Sequence, residues 1–429
     1  MKKRLIGFGT VVLLLGLASS LHANGIINKQ NQSADFVRTL NRNAAYDSAD
    51  AAIFNPAGVM RMQNGMYVRA DVIYFDKTYG QSNVHIPFIG EFGNMGSFES
   101  TKESLLPTMV ALYKQDRWAG FFTLTIPGGG GKVKYYNGNT RTAMLGTIFS
   151  VAGLVGIPFD QYLQADAEYR AYTLGGAYKI SDSLAVAGGV RYVDAYQKFS
   201  GYASGTLGEV NVYIKRTDEA WNYFLGLNYA PIKDLNIGFL YQSNTPLNFV
   251  SEAHDNVGGL IPWAVGWANG SSCREDLPGY LAFGVSYFII PNKLKIETNL
   301  TVYLEKSATL EQPAIDGNRF RDNGNSYDYG LAVEYIFNPK WKVSMGYLRT
   351  DIRGMSPDDA LPEAAELDAN TLALGAVYSP NERLSFILGG LRVWYDSDTK
   401  RILNARGPVG TELEKKIIAV SFGLQYRFF

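Results

Sequence analysis

The sequence has almost no cysteine or histidine, and this scarcity excludes several classes of protein. Among 429 residues there are one cysteine, Cys273, and three histidines. One cysteine cannot form an intrachain disulfide or a cysteine-rich metal cluster. Two of the histidines, His85 and His254, lie beyond the N-terminal leader, which leaves little material for a zinc site or a histidine-based triad. We therefore expect no metal site, no cofactor and no enzymatic activity.

A long apolar run is also missing beyond the first residues. The longest candidate, residues 143–159, is interrupted by Thr147, Ser150 and Pro158, and a membrane-spanning helix needs about 20 residues.

With 40 basic and 40 acidic residues the net charge is zero, so no nucleic-acid partner is expected. What is abundant is Tyr (28), Phe (23) and Gly (45). A soluble β-protein and an outer-membrane barrel, whose apolar residues are diluted by alternation, both fit this composition.

The N-terminus has the layout of a secretory signal peptide. Basic residues at positions 2–4 precede an apolar run over residues 5–17, and small residues follow it. This run is too short to span a bilayer as a helix. We place cleavage after Ala23, with Ser20 as the alternative, so residues 1–23 are predicted to be removed on export.

Strict alternation of apolar and polar residues predicts strands with one apolar face. The clearest segments are 221–229, 294–304 and 327–337. In the first of these, for example, Trp221 and Leu225 share a face opposite Asn222. A period of two over nine or more residues is the pattern of a half-apolar strand.

The connections between these segments alternate in length. Short turns are predicted at 114–117, 181–183, 230–234, 291–292, 338–340 and 379–382. Long connections are predicted at 76–103, 127–161, 199–211, 249–278, 307–325, 352–369 and 397–412. Six short and seven long connections make fourteen strands. Bacterial outer-membrane barrels sort their loops in this way, with short periplasmic turns and long extracellular loops. The prediction is an all-β, 14-stranded antiparallel transmembrane barrel over residues 64–429.

The last segment agrees with this prediction. Over residues 416–429 the apolar side chains occupy alternate positions and end at Phe428, with Phe429 added. A terminal strand with an alternating aromatic end resembles the recognition signal for barrel assembly. The barrel-assembly machinery is therefore an expected partner during insertion.

Residues 24–63 do not alternate and are not needed to close a barrel. Alanines and acids fill residues 42–62, and Pro56 and Gly58 punctuate what we expect to be short helical turns. Such a segment would lie either in the periplasm or inside the lumen, where it would close a channel that otherwise passes water.

The triplet Asn55-Pro56-Ala57, after a run of alanines and acids and ahead of fourteen strands, resembles the FadL-type long-chain fatty acid and hydrocarbon transporters. This resemblance implies that residues 24–63 form a hatch, or plug, inside the lumen. It also implies passive uptake of hydrophobic molecules across the outer membrane of a Gram-negative bacterium. Pro56 would end a helical turn, and the Asn55 amide would satisfy open backbone groups. A plain strand-entry turn is the alternative.

Two predicted extracellular loops are unusually apolar. Their candidate ligand-contacting residues are Leu145, Ile148, Phe149 and Leu154 in the first, and Leu260, Trp263 and Trp267 in the second. Exposed loops rarely carry this much apolar surface, so they form a capture groove, a local core, or both. The family resemblance favours a capture site that leads to a second pocket in the lumen.

The third predicted strand contains Gly120 and ends in Pro127, followed by glycines from Gly128 onward. Glycine and proline weaken ladder pairing and permit bends. In the family a kink in this strand opens the wall sideways, which implies lateral release into the membrane. A flexible loop entrance is the alternative interpretation.

A buried fatty-acid carboxylate would need a cation nearby. The candidate inward-facing bases are Arg170, Arg191 and Lys198, on the fourth and fifth strands. Each of them could instead pair with an acid in the lumen, and a neutral hydrocarbon would need none of them.

Other functions have less support in the sequence. An enzyme would need a nucleophile and an activating base, and neither His85 nor His254 has a recognisable partner. A general porin would not need the N-terminal segment or the apolar loops, whereas a role as a surface antigen is an open alternative. We expect a monomer that contacts membrane lipid, detergent-like lipids and lipopolysaccharide. The acidic residues 356–368 are either a solvated loop or a contact to lipopolysaccharide through divalent cations.

Overall fold

The computed structural model describes residues 33–82, 98–156, 159–264, 266–311, 324–353, 367–396, 398–401 and 410–429. The predicted signal peptide and residues 24–32 lie outside the described residues. The same is true of His85 and most of the acidic residues 356–368.

The strands form one antiparallel sheet that closes on itself, because the first strand pairs with both the second and the last. Their bounds are β1 Gly65–Ser82, β2 Phe98–Lys114, β3 Trp118–Tyr135, β4 Phe159–Lys179, β5 Leu184–Gly205, β6 Gly208–Ile232, β7 Leu235–Gln242, β8 Asn248–Asp255, β9 Ser272–Arg274, β10 Tyr280–Ile290, β11 Leu294–Tyr303, β12 Ser326–Asn338, β13 Trp341–Asp351, β14 Ala369–Tyr378, β15 Leu384–Tyr395, β16 Asp398–Arg401 and β17 Gly410–Arg427.

Three strands of the wall consist of two pieces each. β7 and β8 form one strand, since both pair with β6. β10 and β9 form the next, because β10 pairs with β7 and β9 pairs with β8. β15 and β16 form the third, since both pair with β17. The 17 pieces therefore make a closed wall of 14 strands, which confirms the predicted fold class.

The alternation seen in the sequence corresponds to the two faces of the wall. On β6, Trp221 is 63% exposed and Leu225 57%, whereas Asn222 and Asn228 are buried. Over residues 221–229 the outward side chains are apolar, and most of the inward ones are polar or small. The alternation on β17 is of the same kind, with Phe422 and Tyr426 on the outside.

One predicted connection is wrong. Residues 199–211 do not form a long loop, since β5 continues to Gly205 and β6 begins at Gly208. The alternation simply continues there, and Phe199 and Ile214 remain on the buried face. β5 and β6 are therefore much longer than a membrane-crossing strand needs to be. The predicted loop over residues 199–211 had made them appear shorter.

The helical elements are short. They are α1 Ala34–Thr39, α2 Ala51–Phe54, α3 Thr140–Val151, α4 Leu260–Ala264, and the 3₁₀ turns Pro56–Arg61 and Glu305–Ser307. None of the helices in the described ranges is both long and apolar enough to cross a membrane.

Residues 33–62, the N-terminal segment, pack against the inward-facing side chains of the wall. Helix α1 contacts β12 to β15, β17 and β1, and the turn Pro56–Arg61 contacts β3 to β7. The approach is so close that a Cβ at Gly346 would overlap the Thr39 carbonyl, and one at Gly238 would overlap the Asn43 carbonyl. Glycine at these two wall positions makes room for the backbone of the segment.

Candidate functional site

The Asn55-Pro56-Ala57 triplet lies where the N-terminal segment meets β6. Asn55 Nδ2 donates to the Ala45 carbonyl at 2.9 Å and to Asn228 Oδ1 at 2.7 Å. Pro56 is the first residue of the 3₁₀ turn, a position at which its missing N–H costs nothing, and Ala57 is fully buried. The Asn55 side chain therefore links two parts of the segment to the wall.

A network of buried ion pairs joins α1 to the wall. Arg38 Nη1 lies 2.5 Å from Glu334 Oε2 on β12, and Arg69 Nη1 on β1 lies 2.5 Å from Asp35 Oδ2. Within the segment, Arg42 Nη2 lies 2.6 Å from Asp50 Oδ1. The three guanidinium groups have no solvent exposure. Each charge has an opposite charge beside it, which is what makes its burial tolerable.

The same network continues through Asp47 to two lysines of the wall. Asp47 Oδ2 lies 3.4 Å from Lys295 Nζ and 3.0 Å from Lys342 Nζ. Burial alone would raise the pKa of Asp47, but the charges of Lys295, Lys342 and Arg42 hold it well below its usual range. The pKa of Asp35 is likewise held low by Arg38 and Arg69 against the effect of burial. Both carboxylates are therefore ionised at neutral pH.

A mostly apolar cavity of about 60 Å³ lies between α1 and the wall. Its lining is Phe36, Val37, Leu40, Phe75, Lys77, Asp328, Leu348, Thr350, Thr371, Leu391, Val393, Tyr395 and Ile417. Lys77 and Asp328 are its two charged residues, and the Lys77 ammonium lies 4.6 Å from the centre of the Phe75 ring. We call this the lumen cavity. Its volume is enough for a few water molecules only, so a larger occupant needs α1 to move.

The lumen cavity continues into a buried apolar cluster that reaches the wall between β2 and β3. Val37, Phe75 and Ile417 line the cavity and also belong to this cluster. Leu106 on β2 and Ile126 on β3 are members of the same cluster. Apolar contact is therefore continuous from the cavity to that part of the wall.

Pairing between β2 and β3 is interrupted at this point. Thr101 pairs with Lys134 and Met109 with Leu124, and no pairs join residues 102–108 to residues 125–133. We call these two stretches the seam. Each side of the seam contains a proline, Pro107 on β2 and Pro127 on β3. Neither proline has an N–H to donate, which contributes to the interruption of the ladder here.

The glycines after Pro127 belong to β3, so the interpretation as a flexible loop entrance is wrong. The register against β4 shifts on both sides of Gly128. Gly129 has φ 87°, where a side chain would be strained, and a Cβ on it would overlap the Ala167 backbone. Gly120 lies outside this irregularity, since it pairs regularly with Tyr113 and Gly176. Among the three candidate kink residues, the irregular backbone is at Pro127 and Gly128.

At the opposite end from the short turns, α3 and α4 cover one another. Phe149 and Ile261 form a buried cluster with Val155 and Val210, and Leu145 and Leu260 pack on it. We call α3, α4 and their flanking residues 152–156 and 266–267 the apolar cap. Its side chains divide between a local core and a surface: Ile148 and Phe149 are buried, whereas Leu154 is 41% and Trp263 55% exposed.

Trp267 has a different environment from the rest of the cap. It is 1% exposed and stacks on Phe199 at 5.1 Å, with the Arg216 guanidinium 4.6 Å from its ring. Arg216 in turn donates to Glu275 Oε1 at 2.7 Å. Trp267 therefore belongs to a cluster that holds the loop against β5 and β6.

The three candidate bases do not share a face, and two of the assignments are wrong. Arg170 is paired with Glu168 on the outward face of β4, with its side chain 47% exposed. Lys198 also points outward, because its neighbours Gln197 and Phe199 are the buried residues of β5. Successive side chains of a strand point to opposite faces. The direction of each base therefore depends on its position along the strand and not on its polarity.

Arg191 does face the lumen. It is 6% exposed, its Nε has no hydrogen-bond partner, and no carboxylate among the described residues forms an ion pair with it. Thr173 and Asn222 occupy the facing positions on β4 and β6. A buried guanidinium without a counter-ion is unfavourable, so this position has an unmet demand for a negative charge.

Below the N-terminal segment, a polar cavity of about 570 Å³ opens at the short-turn end of the barrel. Tyr46, Asp47 and Arg61 of the segment form one side of it, and the turn residues Lys340 and Asn381 are on the other. The ion-pair network therefore separates this polar cavity from the apolar lumen cavity.

Sequence reasoning missed several residues of this site. Pro107 was detectable, because a proline inside an alternating segment is itself a sign of interrupted pairing. Arg38 gave no local signal, since its hydrogen-bond partners on the wall are up to 306 residues away in sequence. Nothing in the sequence around Lys77 indicated that it lines a cavity.

The fold is a closed all-β barrel of 14 strands with residues 33–62 packed against its inward face, and solved structures of similar fold include a FadL homologue and hydrocarbon transporters. The chain is similar to a FadL homologue from Pseudomonas aeruginosa, with a TM-score of 0.70 and 16% identity over 93% of this chain and 98% of that one. It is also similar to the Pseudomonas putida toluene transporter TodX (TM-score 0.65, 11% identity, 95% and 99% covered) and the Ralstonia pickettii toluene transporter TbuX (0.59, 13%, 96% and 100%).

No family model matches the sequence, and no curated protein matches it. The resemblance noted at Asn55-Pro56-Ala57 is thus confirmed by structure neighbours. At these identities the likeness establishes the fold.

Proposed function

We propose that this protein is an outer-membrane channel for the passive uptake of hydrophobic molecules. The observation that carries the proposal is the continuous apolar contact from the lumen cavity, through Phe75 and Ile417, to Leu106 and Ile126 at the seam. A water-filled pore would not need such a path. Transfer between sites of increasing affinity would drive the movement, with no requirement for ATP.

The apolar cap is the proposed capture site. Trp263 and Leu154 present exposed apolar surface at the extracellular end, while Phe149 and Ile148 support it from beneath. A hydrophobic molecule gains about 25 cal/mol for each Å² of apolar surface that it buries there. From the cap it would descend into the lumen.

Residues 24–63 are the proposed hatch. Their described part, residues 33–62, packs against the inward face of the wall, and the ion pairs of Arg38 with Glu334 and of Arg69 with Asp35 join it to the wall. Because the lumen cavity is small, a bound molecule displaces α1 locally. Displacing the whole hatch would break several buried ion pairs, at about 3–5 kcal/mol for each partner left alone.

That cost favours exit through the seam over exit past the hatch. On the outward face of the wall at the seam, Leu105 and Met109 are 67% and 48% exposed and would face lipid. A hydrophobic molecule leaving between Pro107 and Pro127 therefore passes directly from apolar protein into the membrane. This lateral route needs only side-chain movement at a place where no backbone ladder has to be broken.

Long-chain fatty acids are the proposed substrates, with Arg191 as the residue that receives the carboxylate. Its buried charge has no counter-ion among the described residues, and a carboxylate would supply one. Monoaromatic or aliphatic hydrocarbons are the second candidate, because the lumen cavity has a mostly apolar lining. Two of the structural relatives are toluene transporters by their descriptions.

A general porin is less well supported, since residues 33–62 fill the lumen that a porin leaves open. The protein would act as a monomer, inserted by the barrel-assembly machinery, without enzymatic activity.

The test is direct binding of a radiolabelled long-chain fatty acid to the purified protein in detergent, beside an alkane of the same length. Saturable binding of the acid alone supports a fatty-acid channel, and equal binding of both supports a hydrocarbon channel. If neither binds while small sugars enter protein-containing liposomes, the protein is a porin and the proposal is wrong.

A further inference from the structure

Strands β4 to β6 extend far beyond the part of the wall that a membrane covers. β5 alone has 22 residues, whereas a tilted membrane strand needs about 9–11. A row of outward aromatic rings, Tyr172, Tyr192 and Trp221, lies at the base of this extension, with centroid separations of 6.3 and 5.1 Å. Such rows mark the interface between lipid and water. Outward residues beyond the row therefore face the polar part of the outer leaflet.

Six residues further along these strands, two lysines stand directly opposite each other. Lys198 of β5 pairs with Lys215 of β6, and both side chains point outward. Neither lysine forms an ion pair with a described residue, although Asp166 and Glu252 occupy the adjacent positions in the row. Like charges directly opposite each other in a sheet are destabilising. Asp166 and Glu252 flank the pair in the same row, and an anion placed between the two ammonium groups would relieve the repulsion between them.

An aromatic pair adjoins the two lysines. Tyr213 and His254 stack at 5.0 Å, and the Lys198 ammonium lies 5.1 Å from the Tyr213 ring. Tyr213 and His254 are themselves cross-strand partners, one row beyond Lys215. Together Lys198, Lys215, Tyr213 and His254 form an outward patch with two cations and two flat ring faces, which we call the basic patch.

We propose that the basic patch binds the phosphorylated inner sugars of lipopolysaccharide. A phosphate group neutralises the lysine pair, and the attached sugar packs on the rings. Two features favour this occupant: the charge is complementary, and the patch continues the lipid-facing surface about 20 Å along the strands beyond the aromatic row, at about 3.3 Å per residue. The inference rests on the proposed outer-membrane location but is independent of what the lumen transports.

The test compares lipopolysaccharide binding by the purified wild type and the double variant Lys198→Gln/Lys215→Gln. The probe is rough-type lipopolysaccharide that retains its inner-core phosphates, titrated into protein in detergent. Removal of each lysine is expected to weaken binding about fivefold, as for basic residues at an anionic surface. The matched control, Lys233→Gln/Lys340→Gln, makes the same change in net charge at the opposite end and is expected to bind like the wild type.

Three results would overturn the proposal: unchanged binding by the Lys198/Lys215 variant, equal binding of dephosphorylated lipopolysaccharide, or full competition by millimolar inorganic phosphate. The last would identify a free-phosphate site. Binding of the radiolabelled fatty acid is measured on the same samples. If no sample binds the fatty acid, the transport proposal is contradicted and the lipopolysaccharide proposal is not. If the double variant still binds the fatty acid, its barrel is folded.

Discussion

Arg191 and Lys198 lie seven residues apart on β5, and their side chains leave the strand on opposite faces of the barrel wall. Arg191 is buried in the lumen without a counter-ion among the described residues, whereas Lys198 contacts Tyr213 on the outside. Two bases of one strand therefore meet different surroundings: Arg191 is buried on the inward face and Lys198 lies on the outward face.

This difference gives a first prediction. Arg191→Met should weaken binding of a long-chain fatty acid by about tenfold or more, because a charged hydrogen bond contributes about 1.5–3 kcal/mol. Binding of the matched alkane should not weaken. Lys198→Met is the control and should bind the acid like the wild type. Equal acid binding by Arg191→Met and the wild type would exclude Arg191 as the carboxylate anchor.

The seam gives a second prediction. Pro107→Thr/Pro127→Thr supplies an N–H to each strand and favours closure of the β2–β3 ladder, so uptake of labelled substrate by cells should fall several-fold. Binding to the purified protein should be retained, because the lumen cavity is unchanged. Pro339→Thr, in a turn at the other end, should leave uptake unchanged. Normal uptake by the double variant would show that substrate does not leave through the seam.

The ion-pair network gives a third prediction. Arg38→Met removes a cation that lies beside the buried carboxylates of Asp35 and Glu334. It should lower the free energy of unfolding by about 3–5 kcal/mol. Arg170→Met removes an exposed pair with Glu168 and should change it by about 0–1 kcal/mol. Urea unfolding in detergent measures both values. Similar small changes would mean that the network does not hold the hatch.

Glu305 gives a prediction for pH. Burial raises its pKa to about 7, although Ser326 donates to it through both its backbone N–H and its hydroxyl. The unfolded carboxyl ionises near pH 4.5, so the folded protein binds more protons between these values and its stability falls as pH rises from 4.5 to 7.

Between pH 4.5 and pH 7, ionisation of Glu305 should lower the free energy of unfolding by about 3 kcal/mol in total. Glu305→Gln should remove that part of the pH dependence, which thermal unfolding at pH 4 and pH 8 will measure. Identical pH profiles for the variant and the wild type would contradict the raised pKa.

The apolar cap gives a fifth prediction, which separates capture from packing. Trp263→Ser should reduce uptake at low substrate concentration with little change in stability, because the ring is 55% exposed. Phe149→Ser should instead destabilise the protein by about 3 kcal/mol or more, since that ring is buried in the cap. If Trp263→Ser takes up substrate normally, the exposed face of the cap is not the capture site.

Much of the wall could be predicted from the sequence because its pattern is local. A strand that faces lipid on one side and a polar lumen on the other must alternate, and Trp221 to Tyr229 shows this directly. The same rule could have separated Arg191 from Lys198, since an odd spacing on one strand places two side chains on opposite faces. The sequence was less informative for β5 and β6 beyond the membrane, where both faces carry polar residues and no long loop interrupts them.

The sequence by itself determined the number of strands, the lipid-facing side of most of them, and an N-terminal segment that ends in Asn55-Pro56-Ala57. Only the tertiary structure decided what these groups meet: Asn55 donates a hydrogen bond to Asn228, 173 residues away, and the stretches that contain Pro107 and Pro127 form an unpaired seam. Alternation depends on neighbours in the chain, whereas the partner of a buried charge or a broken ladder depends on how the closed wall brings distant strands together. For that reason the fold was predictable, and the path through it was not.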